Sequence, residues 1–235
     1  GLGDVDTRQM LATAAMRRAC TRTRCASPRV MRPTSQPTLS FDPSAKTAMD
    51  KQEPPAPGAD FRVVIVGAGN INFGSDEGPW NHSFRLEHKL GPRLKVVALI
   101  DPDAERARRV LKTKCQSFVL SAYKDTVVYP TFKDYMASVC AETYPHAVWV
   151  GSPPAFRGGT EPGRNLEQLL TAGLPNVPLF IEKPVSTGAV DQTFEVAKML
   201  EQNGSLVSVG YMLRYLKVVQ KMKQIIAEND LHVMA

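Results

Sequence analysis

The chain predicts an α/β fold, a doubly wound and mostly parallel sheet, and two observations carry that expectation. From Phe61 onward, short apolar runs alternate with helix-patterned segments. That alternation calls for a parallel sheet with helices on both faces. The first run, Val63 to Val66, has no polar break and ends on Gly67-Ala68-Gly69. An unbroken apolar run suits a strand covered on both faces. A strand ending in G-x-G is the first half of a dinucleotide-binding turn: one glycine permits the sharp bend, and the next lets the backbone approach a pyrophosphate. The match is partial, because the third fingerprint position is Asn72 and the next glycine is Gly74. Glycine pairs at strand ends also occur for steric reasons alone.

Composition narrows the class. At 235 residues, 43% hydrophobic and 22% charged, the chain has the make-up of a soluble globular protein. No apolar run approaches the ~20 residues a membrane-spanning helix needs, so no membrane partner is expected. The net charge of +6 is uneven: residues 1–58 hold nine Lys or Arg against five Asp or Glu, a net +4, leaving +2 for the rest. The basic character is therefore mainly a property of the leader, and the remainder gives no argument for nucleic acid. Cys20, Cys25, Cys115 and Cys140 form no C-x-x-C pair, and His82, His88, His146 and His232 are dispersed. Reduced thiols and no metal site are the expectation.

Three regions are expected: an Arg/Pro-rich disordered leader at 1–58, a nucleotide-binding domain at 59–210, and the start of a second domain at 211–235. The leader carries seven arginines and no acid from Arg8 to Arg32, and Pro28, Pro33, Pro37, Pro43, Pro54, Pro55 and Pro57 break regular structure. Its composition is also that of a mitochondrial transit peptide. A cytoplasmic location is the first expectation and a mitochondrial one the alternative.

Each element follows from its pattern. After the glycines, Asn70–Asn81 is rich in turn residues, so a loop is expected there, and helix spacing resumes at Phe84, Leu86 and Leu90 before Gly91-Pro92. Lys95–Ile100 reads as the second strand, ending on Asp101. An acid at that tip is placed to accept hydrogen bonds from an adenosine ribose and to repel a 2′-phosphate, favouring NAD over NADP. Asp101 serves equally as a cap for the following helix, Asp103–Lys114, and Arg106, Arg108 and Arg109 are cations that suit either a 2′-phosphate or a solvated face. Val127–Tyr129 is the third strand. Thr131 with Asp134 makes a capping box for a helix through Cys140. Ala147–Val150 is the fourth strand and opens into Gly151-Ser152-Pro153-Pro154. Thr160 is expected to cap the next helix, with Leu166, Leu169 and Leu170 inward and Gly173 at its end. Pro178–Ile181 is the fifth strand, running into Glu182-Lys183-Pro184. A helix with Val190, Phe194, Ala197 and Leu200 on one face ends at Asn203-Gly204, and Leu206–Val209 is the sixth strand. A last helix, Tyr211–Ile226, has Leu213, Leu216, Val219, Met222 and Ile226 on one side with nothing evident to pack against, which signals a missing partner.

The segments VVIVGAGN, VVALIDPD, AVWVGSPP, LFIEKPVS and VSVGYMLRY, in this order and at these intervals, resemble the Gfo/Idh/MocA oxidoreductases, which include glucose-fructose oxidoreductase and inositol dehydrogenase. The resemblance covers roughly residues 61–226, and its most specific part is Glu182-Lys183-Pro184 at a strand end, followed by Gly210-Tyr211 and Arg214-Tyr215. It implies a Rossmann domain that binds NAD or NADP, a small-molecule substrate such as a sugar, polyol or related alcohol, and hydride transfer with Lys183 as the catalytic group. Gly67, Gly69, Asn70, Ile71, Asp101, Ser152, Pro153, Glu182 and Lys183 are the implied cofactor contacts. Lys183, at a strand's carboxyl end, can reach toward a substrate oxygen beside the nicotinamide and stabilise charge there. Glu182 could hold that lysine or contact the cofactor, and Pro184 fixes the turn, with a cis bond open to it.

Three departures stand out. Asn72 replaces a glycine. Arg157 occupies the place where the family often has a histidine. The family's large C-terminal α+β domain, with its Asp/His acid–base pair and its dimer face, is almost absent from this sequence. A homo-oligomer is expected only where that domain is present. The family also includes a fungal galactose-regulon repressor that uses the fold without catalysis, so a non-catalytic dinucleotide-sensing regulator is the alternative.

Overall fold

The computed structural model describes residues 55–75 and 80–229; residues 1–54 of the expected leader lie outside the described residues. Strand β1 (Phe61–Val66) leads through Gly67–Gly69 into a single helical turn, α1 (Asn70–Phe73), and then into α2 (His82–Leu90) and β2 (Leu94–Ile100). Next come α3 (Ala104–Cys115), α4 (Leu120–Tyr123), β3 (Val127–Tyr129), α5 (Phe132–Met136) and β4 (Ala147–Val150). The chain continues with α6 (Leu166–Gly173), β5 (Leu179–Ile181), α7 (Val190–Gln202), β6 (Val207–Val209) and α8 (Lys217–Glu228).

All strands pair in parallel in the order β3-β2-β1-β4-β5-β6. This is the doubly wound arrangement, whose strand order reverses direction between β1 and β4. The register keeps the strand ends level: Val66 faces Ile100 on one side and Val150 on the other, and Ile181 faces Val150 and Val209. The residues that follow, Asp101, Gly67, Gly151, Glu182 and Gly210, therefore share one edge of the sheet.

Alternate side chains of each strand feed two cores. On one face Val64, Val66, Val148, Val150, Leu179 and Ile181 meet Phe132 and Tyr135 of α5, Leu170 of α6, and Val196 and Leu200 of α7. On the other, Val63, Ile65, Val96 and Leu99 meet Leu86 of α2, Ala107 and Leu111 of α3, and Ala122 and Tyr123 of α4. Burial of each Val, Leu or Ile in such a core contributes about 1.5–3 kcal/mol. Covered on both faces, β1 needs no polar alternation, as its unbroken run implied.

Several local expectations are corrected. A helical turn opens directly after Gly69 instead of a loop: Asn72 and Phe73 both donate their N–H to the Gly69 carbonyl at 3.1 Å, and Gly74, at φ +88°, ends the turn. Residues 76–79 lie outside the described residues. The Thr131 cap forms, with Asp134 N–H donating to Oγ1 at 3.2 Å, but α5 ends at Met136 and not Cys140. Beyond it, Thr143 Oγ1 accepts from Cys140 N–H at 2.9 Å, closing a local turn in place of a further helical one. Thr160 caps nothing; α6 starts behind Asn165, after a stretch containing Gly163 at φ +86°. In α7 the inward side chains are Val196 and Leu200, whereas Val190 and Phe194 are 67% and 70% exposed. The helix carries two apolar stripes, and contact with the sheet decides which one is covered. The final helix is two elements, a 3-10 turn Met212–Tyr215 and then α8. The apolar side chains there are indeed open, with Leu213 71% and Met222 56% exposed.

One half-buried imidazole ties β1 to the residue before β4. Arg62 N–H donates to His146 Nδ1 at 2.9 Å, which requires that nitrogen unprotonated. Burial, reinforced by the Arg62 and Arg93 cations, lowers the His146 pKa to about 4, whereas an unfolded histidine titrates near 6.5. The neutral form is thus favoured by folding. Its contribution is complete above about pH 6.5 and is lost as the pH falls toward 4. The ring is only half-buried, so solvent screening limits the loss to on the order of 1–2 kcal/mol. Urea midpoints should fall across that window, and His146→Gln should flatten the fall; an equal slope in the variant would refute the assignment.

Candidate dinucleotide site

At the point of reversal, Gly67 holds φ +96°, and a Cβ there would sit 3.0 Å from Ser152 N and 3.1 Å from Gly151 C. This glycine is demanded by the fold, since the ends of β1 and β4 close on each other. Gly69 differs. Its φ of −81° suits any residue, and a Cβ there would meet nothing within 4 Å. Nothing among the described residues requires Gly69 to lack a side chain, so the free space above its backbone is available to a ligand. Asn70 is exposed and Ile71 half-buried on the turn that follows.

Asn72 explains how the turn holds without a third glycine. Fully buried, it donates from Nδ2 to the carbonyls of Val66 at 3.1 Å and Gly67 at 2.7 Å. Its amide lies against Gly151, where a Cβ would come within 2.4 Å of Asn72 Oδ1. The side chain is a plug between the two strand ends.

Asp101 is buried, at 3% exposure, and heavily engaged. Oδ2 accepts from Ala68 N–H at 2.6 Å; Oδ1 accepts from Asp103 N–H and Arg106 Nη2, both at 2.8 Å. The carboxylate thus clamps the glycine turn to the end of β2, while Asp103 Oδ1 accepts the capping bond from Arg106 N–H at 2.9 Å. The Asp101 hydrogen bond raises the Arg106 pKa. Of the roughly four acceptor sites on a carboxylate, those on Oδ2 are the less used.

Ser152 and Pro153 follow β4. Ser152 Oγ is buried with no partner among the described residues, and Pro153 is exposed. Arg157, 1% exposed, donates from Nε to Ser152 O and from Nη1 to Val185 O, both at 3.0 Å. It therefore joins the segment after β4 to the segment after β5. Desolvation lowers its pKa. Glu167 at the start of α6 accepts Gly158 N–H at 2.8 Å, and burial raises its pKa.

Glu182 is 3% exposed and turned inward. Oε1 lies 3.0 Å from His82 Nε2, and Oε2 accepts the Lys183 backbone N–H. A Cβ on Gly210 would stand 3.0 Å from Glu182 Oε1, so this glycine makes room for the carboxylate. Lys183 is exposed, and its bond to Pro184 is cis. Burial lowers the His82 pKa, against the raising pull of Glu182.

Gly67, Asp101, Ser152, Glu182 and Lys183 thus gather on one edge, around the reversal of strand order. Asn72, Arg106 and Arg157, noted in the sequence without these contacts, join them, as do His82 and Glu167, which no motif marks; the His82–Glu182 contact spans 100 residues of sequence, a separation at which no local spacing gives a signal. Among the described residues, no group of three or more His, Cys, Asp or Glu could hold a metal, and no helix is long and apolar enough to cross a membrane.

A parallel six-stranded sheet in this order, with a glycine turn at its point of reversal, defines an NAD-binding Rossmann domain. The sequence pattern described as "Oxidoreductase family, NAD-binding Rossmann fold" matches residues 61–211, and the chain belongs to that family, Gfo/Idh/MocA. Two uncharacterized proteins of Schizosaccharomyces pombe are 43% and 44% identical to it over 178 and 187 residues, covering 75% and 78% of this chain and 46% of each relative. The chain spans about half the length of these curated relatives. Among solved structures, the WlbA dehydrogenase of Chromobactrium violaceum, in complex with NADH and UDP-GlcNAcA, shares the fold at 17% identity and a TM-score of 0.52, over 74% of this chain and 42% of that one. A super-repressor mutant of Gal80p from Saccharomyces cerevisiae does so at 17% identity and the same TM-score of 0.52, over 72% and 39%.

Proposed function

We propose that this chain forms the cofactor-binding part of an NAD(P)-dependent oxidoreductase that moves a hydride between the nicotinamide and a hydroxyl carbon of a sugar, polyol or related alcohol. The observation that carries this reading is Gly69, a glycine at the point of strand reversal that no backbone angle and no neighbour among the described residues requires. Such a residue suits close approach of a pyrophosphate to the backbone. Gly67, Asn70, Ile71, Ser152 and Pro153 border the same turn and hold the remainder of the dinucleotide, and the unpartnered Ser152 Oγ offers it a hydrogen bond. Asp101 faces the adenosine ribose with its remaining acceptor capacity, which favours NAD; Arg106 beside it is the cation a 2′-phosphate would meet. Nicotinamide supplies the hydride acceptor or donor when bound. Lys183 donates a hydrogen bond to the substrate oxygen and stabilises the charge that develops there, while Glu182 fixes the backbone of that lysine. Residues 211–235 begin a substrate domain whose remainder covers Leu213, Leu216 and Met222 and supports a homo-oligomer. The WlbA dehydrogenase with its bound NADH is the fold relative in keeping with this reading.

Fluorescence titration of the chain with NADH and NADPH tests it. NADH should bind more tightly than NADPH, and Gly69→Ala should leave the unfolding midpoint unchanged while weakening NADH at least ~10-fold, about 1.4 kcal/mol. Binding of neither nucleotide at millimolar concentration would end the proposal.

A second reading, a non-catalytic dinucleotide-sensing regulator, is favoured by Arg157. Where the family often places a histidine, this chain has a buried guanidinium bonded to two backbone carbonyls, a group suited to bracing and not to proton exchange. Dinucleotide binding with no turnover across sugars, polyols and alcohols would select it.

A further inference from the structure

We propose that His82 is a positioning residue for Lys183, acting through the Glu182 carboxylate. The assignment rests on Lys183 being the group that meets substrate, and it adds a residue that no motif marks.

His82 opens α2, whose first turn is pinned at its cap: Asn81 Oδ1 accepts Phe84 N–H at 2.9 Å, and Asn81 Nδ2 donates to Phe73 O at 3.2 Å. The imidazole, 2% exposed, packs on Trp149 of β4 and Phe180 of β5, with ring centroids 5.5 and 5.1 Å away; those two rings stack on each other at 4.0 Å. Aromatic walls fix the plane of the ring, and Nε2 meets a polar partner, Glu182 Oε1 at 3.0 Å. His82 Nδ1 is buried without a partner among the described residues. An ionised carboxylate can only accept, so the proton sits on Nε2 and Nδ1 is left bare. An orphaned lone pair there costs less than an orphaned N–H with a carboxylate opposed to a second lone pair. The charged groups acting on the ring are Glu182 and Arg85.

The consequence is transmitted in one step. With Oε1 held by His82, Oε2 is left to accept the Lys183 backbone N–H. Gly210 keeps the carboxylate's other side clear, since a Cβ there would stand 3.0 Å from Oε1. The carboxylate is therefore held from one side by a donor, and the main chain of Lys183 is fixed by its other oxygen, which sets the direction from which the exposed ammonium leaves the sheet edge. Without the imidazole donor a buried, unpaired carboxylate would turn toward water and release that amide.

Hydrogen exchange at the Lys183 amide reads this directly and needs no substrate. His82→Asn is too short to reach Glu182, whereas His82→Gln places an amide N–H near the position of Nε2. Exchange at Lys183 should accelerate ~10-fold or more in the Asn variant and stay within ~3-fold of the parent in the Gln variant, with β1 amides unchanged in both, an expectation set by loss of one buried charge-assisted hydrogen bond. In the natural gene product, kcat should follow the same order while NADH affinity is retained. Unchanged Lys183 exchange in His82→Asn, or equal acceleration in His82→Gln, would overturn the inference. The underlying reading fails separately: if Lys183→Ala leaves kcat intact while exchange responds as stated, His82 positions the backbone of Lys183 but Lys183 is not the reacting group.

Discussion

Lys183→Ala in the natural gene product should lower kcat by about 100- to 1,000-fold, the range found when a single donor to a developing oxyanion is removed, while NADH affinity changes less than ~3-fold, under 1 kcal/mol. The separation follows from where the lysine stands. Its side chain is exposed at the end of β5, and its backbone, not its ammonium, is bonded to Glu182. The ammonium therefore contributes nothing to the packing of the strand ends, and its removal leaves the glycine turn and the Asp101 clamp as they are. A loss shared equally between kcat and NADH affinity would mean that Lys183 serves binding, and an unchanged kcat would remove it from catalysis. Lys183→Arg should not rescue, because a planar fork on a longer stem places its donors differently from a compact ammonium.

Gly67→Ala should destabilise the fold by about 2–5 kcal/mol and abolish NADH binding. Two costs combine. A φ of +96° is one that a residue with a Cβ rarely adopts, and the new methyl would lie 3.0 Å from Ser152 N and 3.1 Å from Gly151 C. Left-handed backbone alone costs roughly 1–2 kcal/mol, and overpacking against backbone adds about 1–3 kcal/mol. Neither obstacle is the end of a flexible side chain, so relief requires β1 and β4 to separate where the turn sits. Urea denaturation beside Gly69→Ala makes the contrast: two glycines separated by one residue, one required by the fold and one required only by a ligand. Equal stability of the two variants would show that the glycines have a common role and would remove the argument drawn from Gly69.

Much of the fold was legible in residues. The third and fourth strands run from Val127 to Tyr129 and from Ala147 to Val150 as their apolar runs implied, and the first, second, fifth and sixth differ at their N-terminal ends by a residue or two. Buried strands announce themselves because both faces must be apolar. Helix faces were less legible: α7 offers Val190-Phe194 and Val196-Leu200 as rival stripes, and a single sequence contains nothing that ranks them. The turn after Gly69 was hidden by glycine and polar residues that suit loops as well as a four-residue helical turn. In the site, Gly67, Asp101, Glu182 and Lys183 could be named because each sits at a strand end, a position that local pattern reveals. Asn72 could be noticed only as a missing glycine, and its role as a plug depends on where the fold places Val66 and Gly151. Arg157 could be noticed only as a departure from the family, and its bond to Val185 O crosses to the segment after β5; His82 carried no local signal, because its partner Glu182 lies 100 residues away.

By itself the sequence determined the alternation of strand and helix, the two-sided burial of the sheet, the chemistry at each strand end and the family. Those properties reside in runs of a few residues, where side-chain volume and hydrogen-bonding capacity act on neighbours. Only the tertiary structure decided that Asp101 clamps Ala68, that Asn72 plugs the gap between the ends of β1 and β4, and that His82 stands behind Glu182. These contacts join segments that meet because a twisted parallel sheet brings distant crossovers to one edge, and a buried polar atom in that place takes whichever partner the packing delivers.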